Sequence, residues 1–236
     1  MKPALQNWVV SLVVLGCAMI AGSTQAQGQN TYLYIAHAAS GRALSTTMNP
    51  ALPLDNSVDG LCIAKGISYG DILGPFSGAA ASYNFVVYIA QTAAPCSGAV
   101  AFSATLPLAA NTTNIGVLTV TASKILVGQI YTADQSPIPA GFGRYQIINA
   151  TPGPLNASIT TAFGTSAITV EPGALQGGAL NQGIFTGSIT DLSNTVVAGP
   201  TSIEISNRNS YVYVIAGSLD DQSVQLLGPK IILGVF

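Results

Sequence analysis

The chain has 236 residues, and only 7% of them are charged, against about 25% in an average soluble domain. Seven basic and nine acidic side chains give a formal net charge of −2. The chain therefore lacks the basic surface that binds nucleic acid or an anionic membrane, and we expect neither as a partner. Its own surface must consist largely of Ser, Thr, Asn, Gln, Gly and Ala.

Residues 1–26 have the features of an export signal. Lys2 is their only charge, and small residues precede the expected cleavage point after Ala26. The apolar run over 8–21 is shorter than the roughly 20 residues of a membrane-spanning helix. We therefore predict an exported chain, periplasmic, cell-surface or extracellular, with no membrane span once the signal is removed. Lipidation at Cys17 is a minor alternative, because VLGC resembles a lipoprotein cleavage box.

Loss of the signal leaves two cysteines, Cys62 and Cys96. An isolated pair in an exported protein is most simply a disulfide. It would close a loop of about 35 residues, for which chain entropy gives roughly 4 kcal/mol of stabilisation. A thiolate metal site has little support, because there is no C-x-x-C and His37 is the sole histidine. We expect no metal and no cofactor.

Beyond residue 30, short runs rich in β-branched and aromatic residues alternate with Gly, Pro, Asn and Ser clusters, which is typical of an all-β protein. No segment shows a convincing 3.6-residue apolar period. The predicted strands of the first half are 31–37, 83–91, 100–108, 115–122 and 124–132. Those of the second half are 144–150, 166–171, 183–189, 201–206, 210–217 and 223–228.

The two halves resemble one unit written twice. IAHAASG (35–41) aligns with IINATPG (147–153), and NIGVLTVTAS (114–123) aligns with NSYVYVIAGS (209–218). The matched segments lie closer together in the second copy, so that copy is the shorter one. Both cysteines fall between the matched segments of the longer, first copy.

This repeat predicts two domains after the signal. We place the first sandwich at 27–132, a linker with two prolines and two glycines at 133–143, and the second, shorter repeat at 144–236. We expect the two domains to be separable, with two melting transitions.

The segment from VDGLCIAKGISYG to IGVLTVTA resembles the bacterial domain-of-unknown-function family 4397 over about 100 residues. The matching motifs are HAAS (37–40), VDG (58–60), SYG (68–70), VVYI (86–89), SATLPL (103–108) and IGVLTV (115–120). Departures are Ser40 where the family favours Pro, Asn149 where it favours His, and the cysteine pair. The resemblance implies tandem, secreted, immunoglobulin-like antiparallel β-sandwiches without an established activity.

GISYG (66–70) fits the G-x-S-x-G pattern of a nucleophilic serine, here Ser68. That pattern needs a helix after the serine and a histidine later in the chain. The following DILGPFSGAA holds two glycines and a proline, and no histidine follows Ser68. A Ser–Lys arrangement with Lys65 or Lys124 stays open, without support from spacing. We therefore expect no catalytic residue and no enzyme.

Two other polar features have structural explanations. His37 corresponds to Asn149 in the second copy, and both residue types can bond backbone at a turn. The acidic pair in SLDDQS (218–223) offers oxygens to calcium, although adjacent acidic residues in a hairpin loop are more often solvated.

The leading hypothesis is an exported, non-catalytic module that binds an unknown protein or glycan partner at the cell envelope or builds a surface layer. The alternative is a self-associating fibre or matrix subunit. Edge strands usually carry charges that block further pairing, whereas YNFVVYIAQ (83–91) and SYVYVIAG (210–217) have none. A serine hydrolase using Ser68 is the third and weakest hypothesis.

Overall fold

A computed structural model describes residues 30–40, 53–91, 93–123, 125–162 and 164–231. Their regular secondary structure is entirely β, which confirms the predicted all-β class. Because these residues form no helix, none of them makes a membrane-spanning helix. The predicted signal, with Ala26 and Cys17, lies outside the described residues, and so does Lys124.

Sixteen strands occur in the part of the chain that the structure describes. The first eight are β1 (Asn30–His37), β2 (Leu54–Val58), β3 (Leu61–Ile67), β4 (Ile72–Ala79), β5 (Ala81–Ile89), β6 (Val100–Leu108), β7 (Thr113–Val120) and β8 (Leu126–Thr132). The last eight are β9 (Phe142–Asn149), β10 (Leu155–Thr161), β11 (Gly164–Val170), β12 (Leu175–Asn181), β13 (Gly183–Thr190), β14 (Val196–Ile205), β15 (Ser210–Ala216) and β16 (Gln225–Ile231).

The strands form four sheets of four, which we number by their order of stacking. Sheet I is β3-β2-β5-β6, sheet II is β4-β1-β7-β8, sheet III is β12-β9-β15-β16 and sheet IV is β11-β10-β13-β14. The last eight strands repeat the order of the first eight, and the aligned segments occupy equivalent strands. Neighbours are antiparallel except for β1 with β7 and β9 with β15. The predicted pair of β-sandwiches is therefore confirmed.

Each sandwich encloses its own apolar core. Sheets I and II share the first core, whose buried members are Leu33, Ile35, Leu54, Phe85, Val87, Leu108 and Leu118. Sheets III and IV share the second core, which includes Ile147, Leu155, Val170, Ile189, Ile203, Ile205, Tyr211, Tyr213 and Ile215.

A third core lies between the two sandwiches, where sheet II faces sheet III. Its buried members from the first sandwich include Tyr34, Ala36, Ile115 and Val117, and those from the second include Ile148, Val212, Val214 and Ala216. We call this cluster the inner core. The chain is therefore a stack of four sheets with three apolar layers between them.

The inner core explains the uninterrupted apolar runs of the sequence. In β15 the side chains of Tyr211, Tyr213 and Ile215 enter the second core, and those of Val212 and Val214 enter the inner core. Strand side chains alternate between faces, so a strand that is buried on both faces has no solvent-facing positions. All seven residues of β15 are buried for this reason.

Every predicted strand is present, but five strands were not predicted: β2, β3, β4, β10 and β12. β4 contains two glycines and a proline, and β12 contains a Gly-Gly pair. β2 reads LDNSV, and its polar Asp55, Asn56 and Ser57 are all buried. Such strands form because neighbouring strands supply their hydrogen bonds and bury their side chains. Local composition reveals neither contribution.

The two strands that the fibre hypothesis treated as free edges are not edges. β5 lies between β2 and β6, and β15 lies between β9 and β16. Their lack of charge reflects burial inside a sheet, and it leaves no backbone free for another chain. The prediction that these two strands are free edges of a fibre subunit is wrong.

The segment between β8 and β9 is packed onto the fold. Ala133 and Ile138 are buried, and the Arg144 guanidinium lies 3.2 Å from the Asp134 carboxylate. The amide of Asp134 also donates to the Gln146 side chain at 2.7 Å. The domain bounds stay a prediction, but the shared inner core leads us to expect joint unfolding of the two units.

Candidate functional site

The first sandwich contains an apolar cleft between its edge strands β3 and β4. On the opposite side, β6 packs against β8. The cleft has a volume of about 330 Å³, within the range of small-ligand sites. Its apolar lining consists of Leu33, Val58, Leu61, Ile63, Phe76, Leu106 and Leu108. The cleft thus extends the first core to the surface.

Leu61 and Tyr83 define the rim of the cleft. The Leu61 side chain is 70% exposed although it borders an apolar space. Tyr83 crosses from sheet I to sheet II, where its hydroxyl donates to the Ala79 carbonyl at 2.5 Å. A Cβ on Gly78 would lie 2.8 Å from that hydroxyl, so a larger residue at this position would displace the end of the Tyr83 side chain.

Two polar residues of the cleft lining, Asp59 and Thr31, already bond within the fold. Asp59 accepts the Asn84 amide at 2.8 Å. The Thr31 hydroxyl accepts from the Asn114 side chain at 3.0 Å and donates to the Thr112 carbonyl at 3.2 Å. A ligand of this cleft would therefore be selected mainly by shape and apolar contact.

Ser68 lies in the exposed turn between β3 and β4. Its amide donates to the Asp71 carboxylate at 2.8 Å, and the Asp71 amide donates to the Ser68 carbonyl at 3.1 Å. No hydrogen bond joins Ser68 to His37 among the described residues. Gly66 and Gly70 have positive φ on either side of the turn. Asp71 therefore shapes a turn at this position, and the geometry gives no support to a nucleophilic serine.

His37 and Asn149 occupy equivalent positions but differ in their bonding. Asn149 donates to the Val170 carbonyl at 2.7 Å and accepts from the Thr151 amide at 2.9 Å, which is the expected backbone-bonding role. His37 is 3% exposed, and its Nδ1 has no hydrogen-bond partner. Its ring meets Tyr69 edge-on, with centroids 6.4 Å apart. The expected role thus holds for Asn149, whereas His37 is a buried ring at the border of the inner core.

Burial lowers the pKa of His37 from 6.5 to about 4, against the opposing effect of the Asp71 charge. The unfolded chain therefore binds the proton more tightly than the folded chain. The stability contribution of neutral His37 is complete above pH 6.5 and is lost as pH falls towards 4. Its total loss is about 3 kcal/mol, at 1.36 kcal/mol per pH unit.

We predict that His37→Asn flattens the pH dependence of stability between pH 4 and 6.5. The change installs the residue of the second copy, which cannot titrate. Urea unfolding of both proteins at half-unit pH steps measures the difference. A wild-type free energy of unfolding that stays constant across this window would contradict the prediction. Asp134 and Asp191 do not interfere, because hydrogen bonds hold their pKa values below 3.8.

Asp221 belongs to a polar bridge between the two sandwiches. Its carboxylate accepts from the Ser40 hydroxyl at 3.0 Å and from the Ser223 amide at 3.0 Å. The Tyr69 hydroxyl donates to the Ser223 carbonyl at 2.6 Å. Within the described residues, no group of three or more His, Cys, Asp or Glu side chains is arranged to hold a metal. Asp221 therefore contributes to the contact between the two units, and calcium gains no support.

Cys62 and Cys96 form the predicted disulfide, which ties β3 to the loop after β5. Asp55 lies under that loop and is 2% exposed. Its carboxylate accepts from the amides of Gly66 and Cys96, both at 2.8 Å. The sequence did not reveal this role for Asp55, because a lone acidic residue before an unpredicted strand carries no local signal.

No family model matches the chain, and no curated protein matches it. Solved structures do match. One is a "putative cell adhesion protein" from Bacteroides uniformis ATCC 8492, 13% identical with a TM-score of 0.26, which covers 86% of this chain and 98% of that one. Another, described in the same words, is from Bacteroides ovatus ATCC 8483, at 7% identity and a TM-score of 0.27, covering 85% and 96%. TM-scores this low carry no argument, and the resemblance to family 4397 stays a prediction.

Proposed function

We propose that the chain is an exported, non-catalytic binding module whose site is the apolar cleft between β3 and β4. The observation that carries this proposal is an open cavity of about 330 Å³ with an apolar lining and an exposed Leu61 at its rim. Exposing such a lining to water is unfavourable, so its burial by a partner would favour binding. The predicted export signal and the disulfide support a location at the cell envelope.

A protein partner fits the cleft better than a glycan does. A glycan carries many hydroxyl groups and needs several free hydrogen-bonding groups in its site. Here Asp59 and Thr31 are engaged within the fold, and the Tyr83 hydroxyl is bonded to Ala79. An aliphatic or aromatic side chain of an exposed protein segment would bury the lining without needing these groups.

The test uses Leu61→Asp, which places a charge at the rim. Leu61 is 70% exposed, so the change should leave folding intact. Ile184→Asp is the matched control, because Ile184 is 77% exposed on sheet IV and does not line the cleft. We expect Leu61→Asp to weaken binding of the apolar dye anilinonaphthalene sulfonate about tenfold and the control to leave it unchanged, as fluorescence titration shows. Equal binding by both variants and the wild type would overturn the cleft as a site.

A further inference from the structure

β11 is an unusual edge among the eight sheet edges of the described residues. It reads GTSAITV, with no charged residue and no proline, and five of its seven residues are exposed. Among the described strands, its only hydrogen-bonded neighbour is β10. Natural sheets usually protect such an edge with a charge, a proline, a bulge or a covering element.

Five of the other seven described edges have one of these protections. β3 carries a lysine, and β4, β14 and β16 each contain a proline and a register shift. β6 contains a proline and packs against β8. β8 and β12 lack a charge, a proline and a register shift, as β11 does, but only two and three of their seven residues are exposed, against five in β11. β11 is therefore the most exposed of the three edges without these protections.

The hairpin geometry determines which β11 groups point away from β10. Thr161 and Gly164 close a two-residue hairpin, so Gly164, Ser166, Ile168 and Val170 form the hydrogen-bonded pairs with β10. The amides and carbonyls of Thr165, Ala167 and Thr169 therefore point outward. They present a regular ladder of donors and acceptors at every second residue.

We propose that this edge pairs with β11 of a second copy of the chain, antiparallel and about a two-fold axis at Ala167. In that register Ala167 faces the partner's Ala167, and Thr165 faces the partner's Thr169. These are the residues with outward-pointing amides and carbonyls, so each pair exchanges two backbone hydrogen bonds. A register moved by one residue would bring inward-pointing groups opposite outward ones.

The side chains agree with this pairing. The small Ala167 side chains meet at the axis, and the two Thr165–Thr169 contacts pair β-branched hydroxyl residues, a favourable cross-strand combination. Ser166 would face the partner's Ile168, which already packs partly on the second core. Glu171, the first charged residue after β11, would lie far from the partner's Glu171 because the strands run in opposite directions.

The result would be a closed dimer with an eight-stranded sheet, and it would not continue into a fibre. A two-fold contact uses the same patch on both copies and leaves no free patch for a third. Only one strand per copy contributes, so we expect a reversible dimer whose population rises with concentration. The proposed dimer does not involve the cleft, because β11 lies in sheet IV and the cleft lies between sheets I and II.

Two opposite charges at the axis test the proposal. Ala167→Lys and Ala167→Glu each place like charges together in a dimer, whereas an equal mixture places opposite charges together. We expect sedimentation velocity at low salt to show a dimer for the wild type and a dissociation constant raised about tenfold or more for each variant alone. Mixing the two variants should restore the dimer. The exposed Ala167 should tolerate both changes, which circular dichroism melts would verify.

Thr186→Lys is the control, because Thr186 is exposed in β13, an interior strand of the same sheet. It should sediment as the wild type does. The inference is overturned if the wild type stays monomeric up to millimolar concentration, if it forms longer polymers, or if a lysine at 167 leaves its association unchanged. None of these outcomes affects dye binding by the cleft, so the two proposals fail separately.

Discussion

Replacing Cys62 and Cys96 together by alanine should lower the free energy of unfolding by about 4 kcal/mol. The disulfide spans a sequence separation of 34, and a loop of that length loses much of its freedom in the unfolded chain when it is closed. Its removal also frees the loop that covers Asp55, whose carboxylate is buried and accepts the Cys96 amide. Water would then reach a carboxylate that two amides now hold.

Urea unfolding of the oxidised wild type, the reduced wild type and the double variant measures this effect. Reduction and replacement should give the same loss within about 1 kcal/mol, because both open the same loop. Ser97→Ala in the same loop is the control, since it removes one exposed hydrogen bond and leaves the loop closed. Unfolding midpoints that are equal for all three forms would show that the loop is not a constraint.

Ile148→Ala should lower the stability of both sandwiches at once, by about 4 kcal/mol. Ile148 belongs to the second sandwich, is 0% exposed and packs in the inner core against side chains of the first. A buried Ile to Ala change costs 2–5 kcal/mol, depending on how far the surroundings close the space. Because sheets II and III share this core, we expect the chain to melt in one transition.

Calorimetry and hydrogen exchange followed by mass spectrometry check this prediction. Exchange should accelerate in peptides from β5 and from β13, which belong to different sandwiches. Ile189→Ala is the matched variant, because Ile189 contributes only to the second core. If the units melt separately, both changes should leave β5 protected, and the original expectation of two transitions would stand.

The sequence predicts strands best where burial is complete. β7 and β15 are buried on nearly every residue, so they appear as apolar runs whatever their neighbours are. β2 was missed because Asp55 and Asn56 are polar, and a polar residue signals a buried strand only when its partners are known. Sheet order could not be predicted from local sequence either, because an interior strand such as β5 and a free edge can have the same composition.

The cleft was not predictable for a related reason. Its lining comes from strands β1, β3, β4, β5 and β6 and from the end of β2, which meet only in the folded sheets. The VDG (58–60) and SATLPL (103–108) motifs both contribute to the lining, but nothing in the sequence indicates that they meet. Ser68 lies outside the cleft, in the turn after β3. The disulfide was predictable, because it required only a count of cysteines and an exported chain.

The four-sheet stack places the cleft and the β11 edge in different layers of the molecule. Packed sheets are about 10 Å apart, so the cleft and the β11 edge are separated by roughly two to three layers. Two copies joined through β11 would share one eight-stranded sheet IV, and both stacks of sheets, with their clefts, would lie on the same face of that sheet. Such a dimer is bivalent, and it would bind a surface whose partners match the spacing of the two clefts through avidity, which can exceed single-site affinity by about 10²- to 10⁴-fold. Partners spaced more closely than the two clefts would gain nothing from the second site.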